Sequence, residues 1–211
     1  MVTDVQGDEV TRLRARDAQA FRSLVERLQY QITGYLHRLV GEREVALDLA
    51  QDTFLQVYKE IGKTSSHLEL DAWIYRIATN YGLRYLNRKR LRLFIPFSFG
   101  FDNSEDEVAG ISHEDMVERS MIVSSFEEQT ETSMLIQEAF SMLAPTDAAC
   151  VQLHYVAGFT YEQIGPIVNI SPEAVRKRVA RGVEKFRKVY AQDTTKAPVK
   201  KASMSKSSRG L

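Results

Sequence analysis

Seven basic residues crowd positions 169–188, "NISPEAVRKRVARGVEKFRK": Arg176, Lys177, Arg178, Arg181, Lys185, Arg187 and Lys188, against Glu173 and Glu184. Guanidinium and ammonium groups at this density are suited to neutralising phosphates and donating to base edges. At helical spacing Val175, Val179, Val183, Phe186 and Tyr190 share one side, and the bases take the other. Ser171 stands where an N-cap belongs, and Pro172 at the first helical position, where a missing N–H is harmless. The preceding "TYEQIGPIVNIS" reads as a short helix whose Ile164, Ile167 and Val168 can pack on Val175 and Val179. Asn169, at the junction, tolerates left-handed backbone. Helix, tight turn and capped basic helix make a helix-turn-helix, whose second helix enters the major groove N-terminus first. Arg176 and Arg178 are thus candidate base readers, and Lys177, Arg181 and Lys185 candidate phosphate partners. A charge run is ordinarily just a solvated face. Here the imbalance of sign and the preceding turn favour DNA.

A second basic concentration lies in "LDAWIYRIATNYGLRYLNRKRLR": Arg76, Arg84, Arg88, Lys89, Arg90 and Arg92, with no acid after Asp71. Trp73, Arg76, Asn80, Arg84 and Asn87 fall on one narrow helical stripe, beside a core face of Ile74, Ile77 and Tyr81. Amides and arginines next to an aromatic suit unstacked bases, which need stacking surface and edge donors. The plainer account makes Trp73 a core anchor and leaves the amides in water.

These faces must be positioned by helices. "DAQAFRSLVERLQYQITGYLHRLV" places Phe21, Leu24, Leu28, Ile32, Tyr35, Leu36 and Leu39 at helical spacing, with Asp17 as N-cap and Gly41 as stop. "EREVALDLAQDTFLQVYKEI" repeats the pattern, and a third helix runs from about Asp71 to about Leu91. Periodicity resumes near Met134 as four short helices. Between 102 and 131 lie ten acidic residues and one base, Arg119, which reads as a linker. The expected architecture is all-α: an arm at 1–16, a helical domain at 17–93, a long acidic linker at 94–131, a helix-turn-helix domain at 132–190 and a basic disordered tail at 191–211.

The formal charge of the 211 residues is zero, so only its distribution is informative. A single cysteine, Cys150, excludes an intrachain disulfide and suits a reducing cytoplasm. Within "AACVQLHYV" it reads as a small buried hydrophobe. No apolar run approaches a membrane span, and the polar N-terminus lacks a signal-peptide core. No catalytic fingerprint stands out, and His37, His67, His113 and His154 are dispersed, so neither an enzyme nor a cofactor or metal is expected.

Three runs together resemble an extracytoplasmic-function sigma factor, the compact class of the bacterial sigma-70 family: "DAQAFRSLVERLQYQITGYLHRLVGEREVALDLAQDTFLQVYKEI", "AWIYRIATNYGLRYLNRKR" and "LAPTDAACVQLHYVAGFTYEQIGPIVNISPEAVRKRVARGVEKFRK". The resemblance implies a cytoplasmic, non-enzymatic initiation factor, nucleoid-associated when bound to polymerase. Its partners would be core RNA polymerase, through the β′ clamp helices and β flap, promoter DNA and, in some members, an anti-sigma factor. It implies that Asp48, Gln51, Asp52 and Phe54 grip the clamp helices. Trp73, Arg76, Asn80, Arg84, Asn87 and Arg88 would read the melted −10 element, with the loop 62–70 holding a flipped-out base. Ser171, Glu173, Arg176, Lys177, Arg178, Arg181 and Lys185 would meet the −35 element. Gly165-Pro166 departs from the family pattern, and Pro166 is expected to kink or shorten its helix.

Two other classes compete. A ligand-responsive repressor or activator would use residues 1–92 as sensor and bind a duplex operator without polymerase. A helical adaptor would bind protein alone. The stripe on the third helix counts against the first, and two separate basic faces count against the second.

Overall fold

In a computed structural model, the chain is described at residues 3–65, 69–94 and 131–196, with side chains over 7–65, 69–92 and 136–188. The expected acidic linker from 95 onward, including the helical turn expected within it, falls outside the described residues, as do 66–68 of the loop and 197–211 of the tail. Among the described residues there are helices and no strands: α1 Thr3–Arg14, α2 Ala18–Val40, α3 Arg43–Glu60, α4 Leu70–Phe94, α5 Glu131–Ser141, α6 Pro145–Tyr155, α7 Tyr161–Val168 and α8 Pro172–Lys196. A 3₁₀ turn, Ile61–Lys63, follows α3.

The N-terminal stretch, expected as an arm, is the helix α1. Its charge hides two apolar residues one turn apart, Val10 and Leu13, both buried. Arg27 of α2 ties it down, reaching Glu9 at 3.2 Å and Asp71 of α4 at 3.0 Å. Asp17 then ends α1 and begins α2 with one side chain. Its Oδ1 accepts from the amides of Gln19 and Ala20, and its Oδ2 from Arg12. Gly41, at φ 83°, closes α2 in left-handed backbone that favours glycine.

α2 is enclosed almost all round at its centre, where Thr33 and Gly34 are buried beside the fully buried Ile32, Tyr35 and Leu36. α3 and α4 pack on one side of it, with the Tyr35 hydroxyl donating to Thr79 Oγ1 at 2.8 Å while Thr79 donates to the Tyr75 carbonyl at 2.6 Å. The start of α3 lacks a side-chain cap; Glu42 instead receives Tyr85 Oη and Lys89 Nζ from α4.

The other side of α2 is covered by the C-terminal helices. One continuous apolar core runs from Val10 to Val179. α2 meets α5 and α6, and α4 meets α6 and α7. Tyr75 stands edge-on to Phe159, with centroids 5.2 Å apart. Gln137 donates to the His37 carbonyl at 3.1 Å, and Gln163 reaches Glu69 at 3.4 Å. Arg38, half-buried, donates Nε to Gln152 Oε1 at 3.0 Å, while Gln152 Nε2 has no partner. The two helical domains expected from the sequence are thus in direct contact. Alternation of apolar residues shows which face of a helix is buried, not which neighbour buries it.

α8 also outruns its expected end, continuing to Lys196, so the first residues assigned to a disordered tail are helical. Pro166 lies inside α7 without ending it. The carbonyl it leaves without an i+4 donor belongs to exposed Glu162, where water can serve.

Because α1 is seated by a fully buried leucine, Leu13→Ala should lower stability by about 2–4 kcal/mol, measured by urea unfolding. Arg14→Ala, one residue along on the exposed side, should change it by less than about 0.5 kcal/mol.

Candidate nucleic-acid interface

The helix-turn-helix is built by local chemistry. Thr160 and Gln163 form a reciprocal capping box at the start of α7. Asn169 takes φ 57°, the left-handed turn expected of it, and its amide bonds to the Gly165 carbonyl. The Ile170 amide joins the same carbonyl at 3.0 Å. A Cβ at Gly165 would stand 2.9 Å from the Ile170 carbonyl oxygen, so the turn folds back too tightly for a side chain. Ser171 Oγ then accepts from the Ala174 amide at 3.2 Å and starts α8.

α8 buries Val175 and Val179 and half-buries Val183, and Phe186 packs at 5.2 Å on Phe140 of α5. Its other faces carry the charges. Arg176, Lys177 and Lys185 are exposed; Lys177 pairs with Glu173 at 2.8 Å across one turn, and Lys188 with Glu184 at 2.7 Å. Such exposed pairs are weak and exchange readily for other anions. An open hollow of about 450 Å³ beside them is lined by Tyr155, Tyr161, Val179, Val183, Arg176 and Arg187.

Arg178 and Arg181 are placed differently. Both turn toward Asp147 at the start of α6, the only buried charged side chain among the described residues. Arg181 grips it side-on, Nε to Oδ2 at 2.8 Å and Nη2 to Oδ1 at 2.7 Å, while Arg178 Nη1 adds 3.0 Å to Oδ1. Burial alone would raise the Asp147 pKa; hydrogen bonds from Arg181 and Arg178 outweigh it and hold the carboxyl below its usual range. A reading of α8 by itself assigns both arginines to DNA, because their acceptor lies on another helix. The available signal was a lone acid, Asp147, ahead of the apolar run "AACVQL". Cys150 is buried as expected, and burial lifts its thiol to about 11.

On α4 the stripe stands out from the core. Arg76, Asn80, Arg84, Asn87 and Arg88 are exposed, and Trp73 is half-buried against the core. Ile74 is buried, and Ile77 and Tyr81 half-buried, as the adjoining core face requires. Lys89 has left the basic set for Glu42 at 2.6 Å.

On α3, Asp48 and Gln51 are exposed and Asp52 is half-buried. Burial, and then the neighbouring Asp48, raise the Asp52 pKa against the opposing pull of Lys59. Phe54 does not join them. It is 8% exposed and packs in the core, so it shapes α3 from beneath rather than offering a contact surface. Every third or fourth residue of an amphipathic helix faces inward, and the spacing of Phe54 with Ala50 and Val57 puts it on that side.

Comparison with known proteins decides what this arrangement belongs to. Residues 24–92 match Sigma-70 region 2, and residues 133–186 match Sigma-70, region 4. The chain belongs to the sigma-70 family, in its extracytoplasmic-function group. It is 25% identical to the ECF RNA polymerase sigma factor SigW of Bacillus subtilis over 85% of this chain and 93% of the relative. It is 29% identical to the RNA polymerase sigma factor CarQ of Myxococcus xanthus, over 86% and 95%. The fold matches CnrH in complex with the cytosolic domain of CnrY, at TM-score 0.62 and 15% identity over 90% of this chain and 99% of that one. It also matches the sigma factor RpoE of Bartonella quintana in complex with the anti-sigma factor NepR, at TM-score 0.61 and 16% identity over 82% and 98%. The protein is thus a sigma factor, directing core RNA polymerase to promoters through a region 2 and a region 4. No helix among the described residues is long and apolar enough to cross a membrane.

The depressed Asp147 pKa predicts an acid limit for region 4. Its carboxylate contributes stability above the unfolded pKa of about 4, lost as pH falls through the lower folded value. Thermal unfolding of the full chain should show that loss below about pH 4. Asp147→Asn should flatten it.

Proposed function

We propose that the exposed stripe of α4, Arg76, Asn80, Arg84, Asn87 and Arg88 with Trp73 at its head, reads the −10 element as single strand. Arg176, Lys177 and Lys185 of α8, entered at Ser171 and Glu173, meet the −35 duplex. Asp48, Gln51 and Asp52 of α3 face the β′ clamp helices, and region 4 meets the β flap. The observation that carries this is the pair of outward polar faces, one rich in amides and one in cations, each on a helix whose opposite side is sealed in the core. The anionic patch on α3 suits a basic partner. The protein acts in the cytoplasm as a specificity factor with no catalytic step of its own. The solved complexes of CnrH with CnrY and of RpoE with NepR support an anti-sigma partner here too.

Reading both elements at once requires the two units to part. α4 touches α7, and α7 touches α8. At 8–10 Å per helix contact the two reading helices are within about 20 Å. At 3.4 Å per base pair the −10 and −35 elements are centred about 85 Å apart. The packed arrangement is a resting form, and its seam holds polar groups that water would serve on opening: half-buried Arg38 donates to the Gln152 amide, and Gln152 Nε2 is unsatisfied.

The deciding experiment is transcription in vitro with core polymerase over a promoter library. Defined start points dependent on this chain are expected; none, with no inhibitor present, overturns the reading, and operator binding without polymerase would favour the repressor class. Asn80→Ala should slow promoter opening on the order of tenfold while leaving stability unchanged. For the seam, energy transfer between dyes on exposed Ser23 and exposed Ser141 should be high in the free chain and fall on forming the promoter complex. Unchanged transfer would show that the units stay packed.

A further inference from the structure

The arginine pair on α8 and the buried acid on α6 form a unit whose role extends beyond holding two helices together. Gly182 is what allows it. A Cβ there would stand 2.6 Å from Val151 Cγ2 and 3.5 Å from the Asp147 carbonyl oxygen, so α6 and α8 approach closely at this point. Asp147 reaches across that contact to both arginines.

Arg181 is the informative member. It binds side-on through Nε and Nη2, which fixes the plane of the guanidinium and turns the Nη1 edge away from the carboxylate. Nη1 meets no acceptor among the described residues, and the Arg181 side chain is 59% exposed although its anchor is 7% exposed. A free arginine must lose rotamer freedom when it meets a phosphate. Arg181 has lost it already. Arg178 is less available: 34% exposed, it completes the second lone pair of Oδ1 and keeps Asp147 fully charged.

We infer that Asp147 is a positioning residue for promoter binding, acting through Arg181, whose free Nη1 edge it aims at a DNA phosphate beside the −35 contacts. This rests on the assignment of α8 to the −35 duplex. The alternative roles have opposite signs. An acid near the DNA face that did no positioning would repel phosphate, and its neutralisation would tighten binding. If Asp147 positions Arg181, the same neutralisation weakens binding, although the complex has gained positive charge.

The test uses the full chain assembled with core polymerase on promoter DNA, with affinity measured over a salt series. Asp147→Asn should weaken binding about tenfold, one charge-assisted hydrogen bond's worth. Arg181→Gln should weaken it as well and reduce the salt slope by about 0.9, one phosphate contact. In the double variant Asp147→Asn with Arg181→Gln, the effects should not add, since one acts through the other. Arg181→Lys, which keeps the charge but loses the side-on seat, covers the case in which Asp147→Asn melts early: weaker binding with the slope retained is expected. Binding unchanged or tightened by Asp147→Asn, a salt slope untouched by Arg181→Gln, or fully additive losses would each overturn the inference. A scrambled −35 element separates the two levels. If scrambling leaves wild-type binding unchanged, it is the assignment of α8 that fails, not the role of Asp147.

Discussion

The centre of α2 is the constraint on which this molecule rests. Residues 32–36 of this helix are buried without a break, so Ile32, Tyr35 and Leu36 must be enclosed by elements on more than one side. α3 and α4 enclose one side, and α5 and α6 enclose the other. That single requirement orders both halves of the protein. It presents the stripe of α4 outward by burying Ile74 and Ala78, and it brings region 4 against region 2 through Tyr75 and Phe159. The same contact holds the helices α4 and α8 on one packed body.

The seam between the halves differs in kind from the cores on either side. Inside region 2 the buried Thr53 and Thr79 hydroxyls are paired, the latter in the relay from Tyr35 to the Tyr75 carbonyl. At the seam a half-buried cation meets a neutral amide, and the other end of that amide is unpaired. Burying a charge without a counter-ion is unfavourable, and burial indeed pushes the Arg38 pKa down. Apolar contact and the hydrogen bonds of Gln137 and Gln163 close the interface, while the Arg38–Gln152 pair favours release. A factor that must change partners has reason to combine the two.

Cations on a helix are not equivalent, and region 4 shows why. Lys177 and Lys188 sit in exposed pairs that DNA can displace. Arg178 and Arg181 are held by a carboxylate with little access to water, where the pairing is strong and directional. Exposure of the partner acid, not of the arginine, separates the two groups.

Local signals in the chain already determined much of this. Asp17, Gly41, Thr160, Asn169 and Ser171 each do what their backbone chemistry dictates, because a cap or a left-handed turn involves only near neighbours. The periodic apolar faces marked the helices and the outward stripe of α4 for the same reason. Contacts between distant segments were decided by the tertiary structure. α1 was hidden because Val10 and Leu13 are too few to show a period. Phe54 was assigned to a surface by resemblance, although its burial depends on what α3 packs against. The destination of Arg178 and Arg181, and the meeting of α2 with α6, join residues more than thirty and a hundred positions apart. A pattern along one helix fixes which way a side chain points; only the assembled fold supplies what it finds there.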